Sequence, residues 1–180
     1  MTATASAPTP DGRLARVWDP LLRVLHWGLA GSIAVAYVSG EDAMTVHLWA
    51  GLAALGVVAT RVVWGLIGPR TARFGAFVPT PMEVVGHVRD MLSGRVERHA
   101  GHSPVASVMV IALMLTVLAA IASGLLTLGG GEAFEELHEV LANAVVALVG
   151  LHVAGVIVSS IAERQNLARA MVTGHKKVDD

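Results

Sequence analysis

Four stretches of this 180-residue chain carry no charged residue: 24–40, 43–60, 103–131 and 140–162, together nearly half of it. A helix that crosses a bilayer needs about 20 consecutive, mostly apolar residues. Each stretch meets that length, the first once Leu21, Leu22 and a snorkelling Arg23 are added to it. Composition agrees: 54% of residues are hydrophobic and 15% charged, against about 25% charged in a soluble domain. That is too little polar surface to cover a globule in water. The expectation is an all-α fold: an integral membrane antiparallel four-helix bundle in the lipid bilayer, with spans at about 21–40, 43–66, 103–128 and 136–162. Residues 13–178 then form a single domain behind a small, polar, Pro-containing tail at 1–12, which is expected to be disordered.

Basic residues set the orientation. Arg13, Arg16 and Arg23 precede span one, Arg61, Arg70, Arg73, Arg89, Arg95 and Arg98 end span two or follow it, and Arg164, Arg169, Lys176 and Lys177 follow span four. All thirteen therefore lie on one side, while the two opposite loops hold only Glu41, Asp42, Glu132, Glu135 and Glu136. By the positive-inside rule both termini are expected in the cytoplasm. Arginines before an apolar run also suit a secretory signal. With three more spans behind it, an uncleaved signal anchor is the simpler reading. Two cytoplasmic segments, 82–92 and 163–178, alternate apolar and charged residues at helical spacing and predict short amphipathic interfacial helices.

A net charge of −1 provides no basic field for phosphates, so no nucleic-acid partner is expected. The chain has no cysteine, which excludes disulfides, iron–sulfur ligation and covalent haem attachment. Any metal must be held by histidine or carboxylate. Of eight histidines, His26, His47, His138 and His152 lie within spans, where ionisable groups are rare and point to a functional site. His87, His99, His102 and His175 lie in the loop and tail and read as surface residues, with His102 an alternative cap for span three.

Depth sorts the four. His138 and His152 are fourteen residues apart, about 21 Å along a helix and within about 40° of one face. Span one runs inside to outside and puts His26 on the inner side with His152. Span two returns and puts His47 on the outer side with His138. Two facing histidines per level suit a haem, whose porphyrin supplies four nitrogens and whose protein supplies two axial ones. A zinc or non-haem iron site takes three or four protein ligands. Read singly, a histidine near a helix end is an interfacial residue with a hydrogen bond. Gly28, Gly31, Gly51, Gly150 and Gly155 neighbour the histidines and have two readings, close approach of a flat macrocycle or close helix packing. Arg61, fourteen residues beyond His47, and Arg23, three before His26, likewise have two readings: pairing with a haem propionate, or snorkelling. Trp18, Trp27, Trp49 and Trp64 fit an aromatic belt.

The pieces LHW at 25–27, VHLWAG at 46–51, RVVWGLIGPRTARF at 61–74, GHSP at 101–104, LHEVLAN at 137–143, GLHVAG at 150–155 and NLARAMVTGHKK at 166–177 complete the pattern. In that order they resemble the bacterial cytochrome b561 family, which includes the b-type cytochrome subunits of nickel–iron hydrogenases. Ser103 stands where the family usually has Asn. The resemblance implies two haem b groups in a four-helix bundle and carries axial ligation onto His26, His47, His138 and His152. It also implies a multi-pass protein of the bacterial inner membrane. The expected function is electron transfer between a periplasmic cytochrome or oxidoreductase subunit and a quinone pool or partner oxidoreductase. Two alternatives stand beside it: a self-contained superoxide:quinone oxidoreductase, and a haem-free, histidine-lined metal transporter or structural protein. No nucleophile–base pair, phosphate loop or carboxylate dyad is present for side-chain chemistry, so no catalytic residue is expected.

Overall fold

The computed structural model describes residues 13–40, 42–69, 72–76, 78–93 and 103–178. Its elements in order are β1 (Arg13–Arg16), α1 (Pro20–Ser39), α2 (Met44–Ile67), a 3-10 turn (Phe74–Ala76), α3 (Pro81–Leu92), α4 (Pro104–Thr127), α5 (Glu132–Ala162), α6 (Leu167–Thr173) and β2 (His175–Val178). The helices α1, α2, α4 and α5 are long and apolar enough to cross a bilayer, so the chain is a multi-pass, all-α membrane bundle. The tail at 1–12, Glu41, Arg70, Arg95, Arg98, His99 and His102 lie outside the described residues.

Three helices begin on a side-chain cap followed by proline, whose fixed φ and missing N–H suit the first helical position. The Leu22 N–H donates to Asp19 Oδ1 (2.9 Å) and the Ala106 N–H to Ser103 Oγ (3.3 Å). At α3, the Thr80 N–H donates to Glu83 Oε2 (2.6 Å) and the Glu83 N–H to Thr80 Oγ1 (3.3 Å), a reciprocal capping box. The Thr80 N–H, joined by the Thr80 hydroxyl at 2.9 Å, holds the Glu83 carboxyl below the usual carboxylate range. Helix α5 starts at Glu132 rather than near 136, because Glu132 and Glu135 fall in its first turn, where the helix dipole favours carboxylates. His138 is thereby carried almost two turns inward from the helix end.

Helix α1 packs along α2 and α4 along α5, and the two hairpins meet chiefly through α2 and α4. At that junction Val58, Val117, Ala120 and Val145 form a small buried core, with Leu29, Ile33 and Leu141 packed on it. Large apolar side chains such as Val24, Trp49 and Ile161 face outward. In lipid such exposure carries no penalty, and helices associate by packing and hydrogen bonding instead of by burial from water.

The tail corrects the sequence reading. Only Leu167–Thr173 of the predicted helix 163–178 is helical, and β2 pairs antiparallel with β1, from Arg13 opposite Val178 to Arg16 opposite His175. Gly174 causes the break: at φ 84° it closes α6 with its N–H on Ala170 O (2.8 Å), a left-handed cap that glycine adopts without strain. Its carbonyl then accepts from the Val17 and Trp18 N–H groups (3.0 and 3.3 Å), which joins the two ends of the domain. The buried Lys176 pairs with the half-buried Glu163 at 2.8 Å at this ribbon. The Gln165 side chain bonds the Lys177 backbone through both its amide atoms.

Candidate functional site

The tertiary structure brings the four intramembrane histidines together as two facing pairs. The rings of His26 on α1 and His152 on α5 have centroids 6.3 Å apart, and those of His47 on α2 and His138 on α5 5.7 Å apart. All four rings are half-buried. Two metal–imidazole bonds of about 2 Å and two nitrogen-to-ring-centre steps of about 1.1 Å add to a separation of about 6 Å for rings ligating one iron from opposite sides. Both pairs lie within a few tenths of an ångström of that value. Ligation fixes each ring's metal–nitrogen axis and leaves rotation about it free, so interplanar angles of 52° and 89° are both compatible.

In one pair the hydrogen bonds fix which ring nitrogen is left free. His47 Nδ1 lies 2.8 Å from Ala36 O and His138 Nδ1 2.8 Å from Ala120 O. A backbone carbonyl only accepts, so both Nδ1 atoms carry the proton and both Nε2 atoms present a lone pair, the usual arrangement of a metal-bound histidine. In the other pair His26 Nδ1 is buried without a hydrogen-bond partner. Among the described residues no third histidine, cysteine, aspartate or glutamate joins either pair. Two axial nitrogens at each of two depths fit haem b.

The glycines divide differently from expectation. A Cβ at Gly31, Gly51, Gly150 or Gly155 would meet nothing within 4 Å, and at Gly28 only Val57 at 3.6 Å, so none of them serves close helix packing. Gly28 also lies two residues from His26, about 200° around the helix, and therefore faces away from it. The close approaches are at Gly124 and Gly65, which the histidine-neighbour argument passes over. A Cβ on Gly124 would fall 2.9 Å from His138 Cε1 and 3.0 Å from its Nδ1, and one on Gly65 2.2 Å from Phe74 Cε2. Lone glycines in apolar helices give no sign of which ring they admit.

Both arginines sit at the end of the bundle that holds His26 and His152. Arg61 Cζ lies 4.7 Å above the Phe74 ring, which rests on Gly65 one turn along α2. Arg23 donates through one terminal nitrogen to Val172 O at the end of α6, while its buried Nε has no hydrogen-bond partner. Trp64 does more than line an interface: its Nε1–H donates to Asp19 Oδ2 at 3.1 Å, so the residue that caps α1 also fastens the end of α2. At the opposite end Tyr37 donates to Asn143 Oδ1 at 3.1 Å and joins α1 to α5 toward the His47–His138 pair.

A family model described as prokaryotic cytochrome b561 matches residues 17–174. The chain belongs to the prokaryotic cytochrome b561 family. It is accordingly a membrane cytochrome that carries b-type haem and transfers electrons across the membrane. No curated protein and no solved structure gives a significant match.

Proposed function

We propose that this cytochrome holds two b haems, one between His26 and His152 and one between His47 and His138, and passes electrons across the bilayer from one to the other. The observation that carries this reading is the pair of ring separations, 6.3 and 5.7 Å, at two depths of one bundle. Bound haem supplies one-electron chemistry at iron. The residues supply the rest. The Ala36 and Ala120 carbonyls orient the outer rings, and the apolar helix faces keep water from the ligands. Arg23, with donor capacity left on Nε, and Arg61 at the same end offer guanidinium groups to the carboxylates of the inner macrocycle.

Both termini then face the cytoplasm of the bacterial inner membrane. Acidic Asp42, Glu132, Glu135 and Glu136 would receive a basic periplasmic cytochrome or oxidoreductase subunit. A quinone or a partner oxidoreductase would exchange electrons on the inner side. The test is a pyridine haemochrome assay on the purified chain with its histidine variants. About two haems per chain are expected. His26→Ala and His152→Ala should remove one spectral component and His47→Ala and His138→Ala the other. A stoichiometry of one or zero, or His26→Ala and His47→Ala removing the same component, overturns the proposal. A protein without a Soret band would instead be a haem-free transporter or structural protein.

A further inference from the structure

We infer that Ala120, Ser123 and Gly124 on α4, with Ala36 on α1, form a seat that gives the His47–His138 pair the lower-potential haem and the His26–His152 pair the higher. The inference rests on the two-haem reading above and adds an order to it.

The outer pair is held at its far nitrogens. Each ring donates Nδ1–H to a backbone carbonyl at 2.8 Å, His47 to Ala36 O and His138 to Ala120 O. The Ser123 hydroxyl donates to the same Ala120 carbonyl at 2.9 Å and presents its oxygen 3.4 Å from His138 Nδ1. Gly124 closes the seat, since a Cβ there would stand 2.9 Å from the ring. A carbonyl that draws on the Nδ1 proton raises the basicity of Nε2, because it stabilises the imidazolate character that donation to a metal develops. A more basic axial nitrogen favours the ferric over the ferrous state and lowers the potential, one of the protein's levers on haem.

The inner pair lacks this support. His26 Nδ1 is buried with no acceptor, and among the described residues no hydrogen bond reaches the His152 ring. Fixed charge acts in the same sense. Arg23 is three residues from His26 and Arg61 lies at the same end, two cations against the Asp19 carboxylate seven residues before His26; net positive charge favours the ferrous state, which carries one positive charge fewer. Glu132, Glu135 and Glu136 begin the helix that bears His138, and Asp42 precedes the helix that bears His47; negative charge favours the ferric state. Hydrogen bonding and charge therefore order the two sites alike. With haem held at both pairs, this order would make one-electron transfer from the His47–His138 site to the His26–His152 site downhill.

The experiment is an equilibrium redox titration of the haem-loaded full chain in detergent, followed at the visible absorption bands, for the wild type and four variants. Wild type should titrate as two components of similar amplitude. His138→Ala should remove the lower one and His152→Ala the higher. Gly124→Ala, which pushes the ring off its seat, should shift the lower component upward, whereas Ser123→Ala, which frees the Ala120 carbonyl of a competing donor, should shift it slightly downward, and both should leave the higher where it was. Loss of the higher component in His138→Ala would overturn the assignment of potentials. Equal shifts of both components in Ser123→Ala and Gly124→Ala would overturn the seat. A wild type with a single component or a single haem would refute the two-haem reading itself, an outcome distinct from a reversed order.

Discussion

Replacing Asp19 should weaken the His26–His152 end of the bundle by an amount that its two hydrogen bonds predict. One carboxylate oxygen caps α1 through the Leu22 N–H at 2.9 Å, and the other accepts the Trp64 indole N–H at 3.1 Å from the last turn of α2. Loss of an N-cap costs about 1 kcal/mol. Loss of a hydrogen bond to a charged, partly exposed acceptor costs about 1–2 kcal/mol. Asp19→Ala should therefore destabilise the protein by about 2–3 kcal/mol, roughly a hundredfold in the folding equilibrium. Asp19→Asn, an equally good cap, should lose only the Trp64 bond, about 1–2 kcal/mol. Reversible unfolding in mixed micelles of rising SDS fraction measures these values, and a cycle with Trp64→Phe isolates the bond, for which a coupling of about 1–2 kcal/mol is expected. Because His26 lies two turns beyond Asp19, Asp19→Ala should also deplete any spectral component that His152→Ala removes more than one that His138→Ala removes. If Asp19→Ala and Trp64→Phe add within about 0.3 kcal/mol, the bond is not made in the folded protein and the reasoning fails.

Three further outcomes are expected. Glu83, held below the usual carboxylate range by Thr80, stabilises the start of α3 above the unfolded carboxyl pKa of about 4.3 and loses that contribution as pH falls through the folded value; amide exchange at Thr80 and Glu83 should speed up on acidification in the wild type and be pH-independent, beyond intrinsic exchange, in Glu83→Gln. Lys176→Met leaves the half-buried Glu163 carboxylate with Gln165 (2.7 Å) and should cost about 2–3 kcal/mol, while adding Glu163→Gln should recover much of it; equal stability of the single and double variants would refute the pair. Alkaline phosphatase fused after Lys177 should be inactive and within 129–133 active, and the reverse result would overturn the assigned orientation and the outer acidic docking face.

Much of the site was legible because the bilayer makes local sequence carry global information. A charge-free run of about 20 residues has one stable solution in lipid, so four runs meant four helices. Alternating direction then assigned a depth to every residue, and depth alone paired His26 with His152 and His47 with His138 before any contact was known. The fourteen-residue spacing on α5 added that both pairs share a helix face. The bound on ligand chemistry, histidine or carboxylate and never cysteine, came from the sequence alone.

What only the tertiary structure decided depends on rotation and on partners distant in sequence. The pairing of residues 13–16 with 175–178 leaves no local period, so a segment with helical patterning ends as a strand once Gly174 turns the chain. Which glycine admits a ring is likewise settled by how two helices rotate against each other. Gly124 and Gly65 take that role while Gly28, nearer His26 in sequence, faces the other way. The proton on Nδ1 of His47 and His138 is fixed by carbonyls 11 and 18 residues away. A spacing in sequence specifies which residues share a level; the acceptors each ring meets there are set by the packing of one helix on another.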